Sequence, residues 1–156
     1  MSQAGAPLSV FEGEEKIMNA EAKERITNYE APAMSRKFPQ FKLFMVGPEH
    51  SFAPEGEMFW GGCLTTNFGT EYGAAIVYPR NYPNDSIRAY VPELIEHGSS
   101  RHMYMDGHLC LYSNDHGGGG EGVGSETTAA TVTAWTAAWL NAREVFQRTG
   151  NWPGKE

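Results

Sequence analysis

Apolar residues recur at helical spacing near both ends of the chain. Residues 14–31 begin with acidic side chains and contain neither glycine nor proline. Their apolar positions lie three or four residues apart, at Met18, Ala22, Ile26 and Tyr29. We expect an amphipathic helix here that ends at Pro32. A second helix is predicted over residues 126–149, with Ser125 as its N-cap and Gly150 as its stop. Its apolar stripe is expected to pack in the core, through Val132, Trp135, Trp139, Ala142 and Phe146.

Between the two helices, short apolar runs alternate with turn residues, a pattern typical of β-strands. The predicted strands cover residues 38–46, 58–66, 72–78 and 86–91. Residues 67–70, which include Gly69, join the second and third strands as an antiparallel hairpin. Cys63 lies inside the second strand and is expected to be a small buried residue. The pattern predicts an α+β fold, a four-stranded antiparallel meander packed against an N-terminal and a C-terminal helix.

Length and composition fit one domain. The chain has 156 residues, of which 40% are hydrophobic, enough to bury a single core. We expect residues 1–13 to be flexible and residues 14–156 to form the domain. The formal net charge of −7 argues against a nucleic-acid partner. No apolar run approaches the roughly 18 residues that span a bilayer, so we expect a cytoplasmic protein, without a membrane partner, whose cysteines are free thiols.

The segment 101–112, R-H-M-Y-M-D-G-H-L-C-L-Y, carries the densest candidate chemistry. Asp106 and Gly107 predict a tight turn that presents Cys110 at the start of a short apolar run. Three histidines lie within eight residues of this thiol: His102, His108 and His116. A free thiol has a pKa of about 8.5, and a neighbouring imidazolium would raise its thiolate fraction. The alternative is an inert thiol, buried between the two leucines that flank it.

A glycine-rich run follows at residues 117–124. Such a run suggests a phosphate-binding loop, but no G-K-[ST] follows it. We therefore expect no nucleotide cofactor. A flexible flap beside Cys110 is the preferred interpretation.

Several short motifs follow one another in a specific order over residues 14–152. After the N-terminal helix come F-W-G-G at 59–62, Y-G at 72–73 and Y-P-x-x-Y-P at 78–83. His102, Asp106-Gly107 and L-C-L at 109–111 come next, ahead of a tryptophan-bearing helix and T-G-N-W-P-G at 149–154. This order resembles the ubiquitin-conjugating enzymes, in the divergent bacterial form found in antiphage and ubiquitin-like conjugation operons.

The resemblance implies a definite activity. Cys110 would accept the C-terminal carboxyl of a ubiquitin-like modifier, as a thioester, from an ATP-dependent activating enzyme. It would then transfer the modifier to an amine of a target protein. The implied partners are these three proteins, and the chain itself would bind no ATP and need no metal.

The sequence departs from the family pattern next to the histidine. The usual His-Pro-Asn reads His102-Met103-Tyr104, so the asparagine that supports the oxyanion or the loop is missing. Tyr104 or Asn114 is a candidate to replace it as a donor. His102 matches the family's histidine, which implies that it braces the loop by hydrogen bonding rather than transferring a proton.

Three other functions fit parts of the pattern. The same fold could bind a ubiquitin-like protein without catalysis, although Cys110 at the nucleophile position argues against this. A metal site could use His102, His108, Cys110 and His116, but their spacing matches no zinc motif. A cysteine hydrolase would need a base and an orienting group, for which Asp106 and Asn114 are available.

Overall fold

A computed structural model describes residues 19–96, 102–104, 106–111 and 127–153. The elements in order are α1 (Ala20–Arg25), a π-helical turn (Ile26–Glu30), α2 (Ala31–Lys37), β1 (Lys42–Met45), β2 (Met58–Thr65), β3 (Glu71–Tyr78), β4 (Arg88–Tyr90), α3 (Pro92–Glu96) and α4 (Ala129–Thr149). The sheet order is β1-β2-β3-β4, and every neighbouring pair is antiparallel. The predicted α+β meander is therefore confirmed.

The N-terminal helix does not end at Pro32, and this prediction is wrong. The helix begins at an Asn19 cap, whose side chain accepts a hydrogen bond of 2.7 Å from the Ala22 N–H, and continues to Lys37. A π turn precedes the proline, and there the Ala31 N–H bonds to the Ile26 carbonyl five residues back. Pro32 then occupies the first turn of α2, where a missing N–H is tolerated. Residues 1–18, which include the predicted flexible N-terminus and the predicted helix start, lie outside the described residues.

The strands form where alternation predicted them, but the outer two are shorter. The Phe38 N–H still bonds to the Met34 carbonyl of α2, and the Phe41 N–H closes a turn on the Phe38 carbonyl. β1 therefore starts only at Lys42. Residues 67–70 close the predicted hairpin, with a hydrogen bond of 2.8 Å from the Thr66 N–H to the Thr70 carbonyl.

Helix α4 covers the inner face of the sheet. Its N-cap is Thr128, whose hydroxyl accepts from the Thr131 N–H, so the predicted cap at Ser125 is wrong. Gly150 ends the helix in the left-handed conformation, as predicted. The expected core stripe is only partly correct, because Val132 and Trp139 are buried while three members are half-buried: Trp135, Ala142 and Phe146. The buried face of α4 is rotated from that stripe, toward Thr133, Thr136, Leu140 and Glu144.

A buried carboxyl group joins the two helical ends of the fold. Glu30 is 1% exposed and accepts hydrogen bonds from the Tyr78 hydroxyl, the Tyr82 hydroxyl and the Ala129 N–H, at 2.9, 3.0 and 2.7 Å. The Trp60 indole donates in turn to the Tyr78 hydroxyl. Burial raises the pKa of Tyr82 to about 12 and that of Tyr78 well above its ordinary value, so both phenols remain donors at neutral pH. The Y-P-x-x-Y-P motif thus supplies two structural donors.

The outer face of the sheet is only half covered, and Cys63 lies on its open half. Phe59 is covered by Phe52, but farther along β2 the side chain of Cys63 is exposed. The prediction that Cys63 fills the core is therefore wrong. Alternation along β2 turns Trp60 and Leu64 inward and Cys63 outward, beside an apolar groove of about 480 Å³.

Within the described residues, no helix is long and apolar enough to cross a membrane.

Candidate functional site

Cys110 lies on an extended segment that is fixed from both sides. The Leu109 N–H donates to the Ala89 carbonyl of β4, and the Cys110 N–H donates to the His102 carbonyl, each at 2.9 Å. Leu109 is buried in the core, whereas Cys110 is half-exposed. Since side chains alternate along an extended chain, the thiol points away from the core. Whether the thiol is reactive or inert stays a prediction.

The predicted turn ahead of the cysteine is present. The Gly107 N–H donates to the Tyr104 carbonyl, and the Tyr104 N–H donates to the His108 carbonyl. Gly107 has a φ of +99°, and a Cβ there would come within 2.8 Å of Ile95. Both the conformation and the lack of space require glycine at this position.

His102 holds the cysteine segment through its backbone. Its carbonyl accepts from the Cys110 N–H and from the Trp139 indole N–H, the latter at 3.2 Å. Its φ of +63° is unusual for a residue with a side chain. The imidazole packs against the Trp152 ring at a centroid distance of 4.5 Å. Its Nε2 is buried and has no hydrogen-bond partner within the described part of the chain.

A second histidine is paired with a carboxylate beside the thiol. Nδ1 of His108 lies 2.5 Å from Oδ1 of Asp106, which also accepts from the His108 backbone N–H at 3.1 Å. Arg88 approaches the other carboxylate oxygen at 3.7 Å. The Tyr104 ring stacks on the imidazole with centroids 4.2 Å apart. Burial alone would raise the pKa of Asp106, but the two His108 hydrogen bonds, the charge of His108 and that of Arg88 together lower it.

The structure brings together three of the four predicted site residues. His102, Tyr104 and Cys110 lie on neighbouring, hydrogen-bonded segments. Asn114, His116 and the glycine-rich run fall outside the described residues, and the roles of all four predicted residues stay predictions. The predicted set omitted the pair of Asp106 and His108. A D-x-H motif ending two residues before a cysteine was the available signal, because a turn folds the carboxylate back onto the imidazole.

An apolar cavity lies next to the cysteine segment. It has a volume of about 270 Å³, and its lining includes Leu111, Trp135, Trp139 and Trp152. The tryptophans that the sequence pattern assigned to the core thus form part of a surface beside Cys110.

No three histidine, cysteine or acidic side chains among the described residues are grouped so that they could hold a metal ion. His116, the fourth member of the hypothetical metal site, is outside that set.

The chain matches one described protein family. The sequence profile of the family described as "Type II CBASS E2 protein" matches residues 30–156. A search of curated proteins finds no matching relative. One solved structure, described as a complex of the Vps23 UEV with ubiquitin, is similar with a TM-score of 0.45 and 17% identity, covering 69% of this chain and 79% of that chain.

Proposed function

Because the chain belongs to the Type II CBASS E2 protein family, we propose that it is a conjugating enzyme of bacterial antiphage defence. It carries a ubiquitin-like modifier as a thioester on Cys110, receives that modifier from an activating enzyme, and transfers it to an amine of a target protein. The observation that carries the proposal is the position of Cys110. It is a half-exposed thiol whose backbone is fixed by the His102 carbonyl, within a segment that also holds His108.

The thioester itself needs no acid or base to activate it in either step. In the first, the Cys110 thiolate attacks the carbonyl carbon of the modifier's thioester, a new C–S bond forms, and the activating enzyme's thiolate leaves. In the second, an amine attacks the same carbon, a C–N bond forms, the nitrogen loses one proton, and the Cys110 thiolate leaves. A thioester is already activated, so the site must mainly orient the amine and stabilise the oxyanion.

Donors for the oxyanion belong to the proposal. Tyr104 is exposed and lies in the turn that precedes Cys110. We keep Tyr104 and Asn114 as the candidates that replace the missing asparagine. His102 is assigned a bracing role, which its carbonyl supports through bonds from Cys110 and Trp139.

The test is a charging assay with a ubiquitin-like modifier, its activating enzyme and ATP, on a non-reducing gel. We expect an ATP-dependent mass increase that reductant removes. Cys110→Ala should abolish the adduct completely, and Cys110→Ser should give an adduct that resists reductant because it is an oxygen ester.

Cys63→Ser is the matched control, because Cys63 is the exposed thiol on β2 and lies outside the cysteine segment. It should charge as the wild type does. An uncharged wild type, beside an activating enzyme that loads itself normally, would contradict the proposal. The non-catalytic binding module would then become the leading function.

A further inference from the structure

We propose that His108, oriented by Asp106, is the base that takes the proton from the amine attacking the Cys110 thioester. This inference rests on the proposed function and assigns a catalytic residue to its second step. It concerns two residues to which the resemblance to the conjugating family assigned no role in the reaction.

The backbone places the imidazole and the thiol on one side of the segment. His108 forms a bridge with Tyr90, and Leu109 forms one with Met103, so the chain is extended there. Leu109, between the two, is buried. His108 and Cys110 therefore both point away from the core, with Cα atoms about 6.6 Å apart at the usual rise of an extended chain. An acyl carbon on Sγ thus lies within reach of a group near the imidazole.

The carboxylate of Asp106 determines which imidazole nitrogen of His108 can accept a proton. The lowered pKa of Asp106 keeps its carboxyl group ionised at neutral pH, so that it can only accept hydrogen bonds. Its 2.5 Å contact with Nδ1 of His108 therefore makes Nδ1 the donor. A neutral imidazole that donates from Nδ1 has its basic lone pair on Nε2. This is the arrangement in which a carboxylate orients a histidine base.

The surroundings hold the ring in place. Tyr104 stacks on the imidazole, and the edge of Tyr90 approaches it with centroids 6.1 Å apart. Arg88 of β4 lies 3.7 Å from the second oxygen of Asp106. The titratable or charged groups around His108 thus include Asp106 and Tyr104 from its own segment, and Arg88 and Tyr90 from β4.

His102 is less suited to this role. Its Nε2 is buried against Trp152 and has no partner within the described residues. A base that serves an incoming amine must be reachable by that amine. The side chain of His108 is 19% exposed, so we assign the role of base to His108 and a bracing role to His102.

The proposed step is balanced. The amine nitrogen attacks the thioester carbon to give a tetrahedral intermediate with an oxyanion. Nε2 of His108 removes one proton from that nitrogen. Collapse of the intermediate breaks the C–S bond, and the thiolate leaves as Cys110. The imidazolium later returns its proton to solvent.

The experiment separates this step from the supply of the modifier. In a Cys63→Ser background, Cys110 is acylated chemically with the mercaptoethanesulfonate thioester of acetyl-Gly-Gly, and the adduct is followed by intact mass. We then compare discharge onto free lysine in the parent and in His108→Gln. Acylation should be unchanged, while transfer to lysine should fall roughly 100-fold, the lower end of the usual contribution of a general base.

The pH profile identifies the base. The parent's transfer rate should rise through an ionisation in the neutral range as the imidazole loses its proton, and His108→Gln should lack that inflection. In Asp106→Asn the inflection should move to lower pH, because removing a neighbouring negative charge lowers an imidazole pKa. If Asp106 and His108 had only a structural role, neither substitution would change the inflection in the pH profile.

His50→Gln is the matched control, since His50 is a half-buried histidine that accepts a hydrogen bond from the Gly47 N–H away from the cysteine segment. Its transfer rate should equal the parent's. An unchanged rate in His108→Gln overturns the inference, and so does an equal slowing of acylation and transfer, which would place His108 on the thiol instead. If circular dichroism shows that His108→Gln is unfolded, the transfer rate of Asp106→Asn and its pH dependence test the inference instead. A failure of charging with the activating enzyme would contradict the proposed function, but the discharge of chemically acylated Cys110 could still be measured.

Discussion

Helix α4 connects two polar regions that are built in opposite ways. At its first residue, Ala129, it donates to the buried Glu30, whose carboxyl group accepts three hydrogen bonds. Ten residues later Trp139 donates to the His102 carbonyl in the cysteine segment, about 15 Å along the helix. There Cys110 is half-exposed and the His102 ring has a buried nitrogen without a partner among the described residues.

The difference separates stability from chemistry. Each of the three hydrogen bonds that the Glu30 carboxyl group accepts joins distant parts of the chain, and buried polar groups with satisfied hydrogen bonds specify one packing arrangement. The cysteine segment is held by backbone hydrogen bonds, and its His108 and Cys110 side chains are only half-buried. Substitutions in the two regions should therefore affect different measurements.

The largest stability effect is expected at Glu30. Glu30→Ala leaves the Tyr78 and Tyr82 hydroxyls and the Ala129 N–H without their acceptor, and should lower the free energy of unfolding by roughly 3 kcal/mol or more, because each buried unsatisfied donor costs about 1–3 kcal/mol. Urea unfolding followed by tryptophan fluorescence measures this. Cys110→Ala should stay within about 0.5 kcal/mol of wild type, since it is not a core residue. Similar losses of unfolding free energy in Glu30→Ala and Cys110→Ala would contradict the proposed difference between the two regions.

A pH-dependent contribution is expected from Glu144, a buried carboxylate of α4 that accepts from the Thr66 and Tyr72 hydroxyls. Burial opposes its ionisation, but hydrogen bonds from Thr66, Thr70 and Tyr72 and the charge of Arg148 lower its pKa below the ordinary 4.5. A lowered pKa adds stability above the unfolded-state value, and that stability is lost as the pH falls through the folded-state value. Glu144→Gln should therefore be less stable than wild type at pH 7, with the gap narrowing near pH 3.

Thermal unfolding at the two pH values checks this, and Glu71→Gln, a change on the exposed end of β3, serves as the control. If the difference in stability between Glu144→Gln and wild type does not change with pH, the charge of Glu144 does not contribute to stability.

A smaller loss of stability than that of Glu30→Ala is expected where α4 contacts the cysteine segment. Trp139→Phe removes the indole donor to the His102 carbonyl and should cost about 1 kcal/mol, the usual net value of one hydrogen bond. Because that carbonyl also accepts from the Cys110 N–H, the charging rate should fall as well. Trp152→Phe, which keeps an aromatic ring against His102, is the matched control. A variant that loses stability but charges normally would show that Trp139 belongs only to the core.

Local patterns predicted most of the fold. The alternation of apolar and polar positions predicted the four strands, and the turn residues from Asn67 to Thr70 predicted the hairpin. Both signals depend on only a few neighbouring positions. The predicted end of the first helix was wrong, since a π turn places Pro32 in the first turn of α2, where a proline is tolerated. The cap at Ser125 was wrong for a related reason: Thr128 starts α4 where Glu30 takes the Ala129 N–H.

The site was predicted in part. The order of motifs pointed to Cys110, His102 and Tyr104, and the turn at Gly107 follows from two adjacent residues. The pairing of Asp106 with His108 was not predicted, because the sequence shows only their spacing and not the distance between their side chains. Cys63 was placed in the core since a strand pattern alone does not say which face of a sheet is covered.

The sequence by itself determined the element types and the meander, because propensity and periodicity are properties of neighbouring residues. Only the tertiary structure decided which carboxyl groups are buried as structural acceptors and which remains beside the thiol. Glu30 is satisfied by Tyr78, Tyr82 and Ala129, residues 48, 52 and 99 positions away. The tertiary packing of the chain brings these hydrogen-bond donors to Glu30, and no pattern among neighbouring residues predicts them.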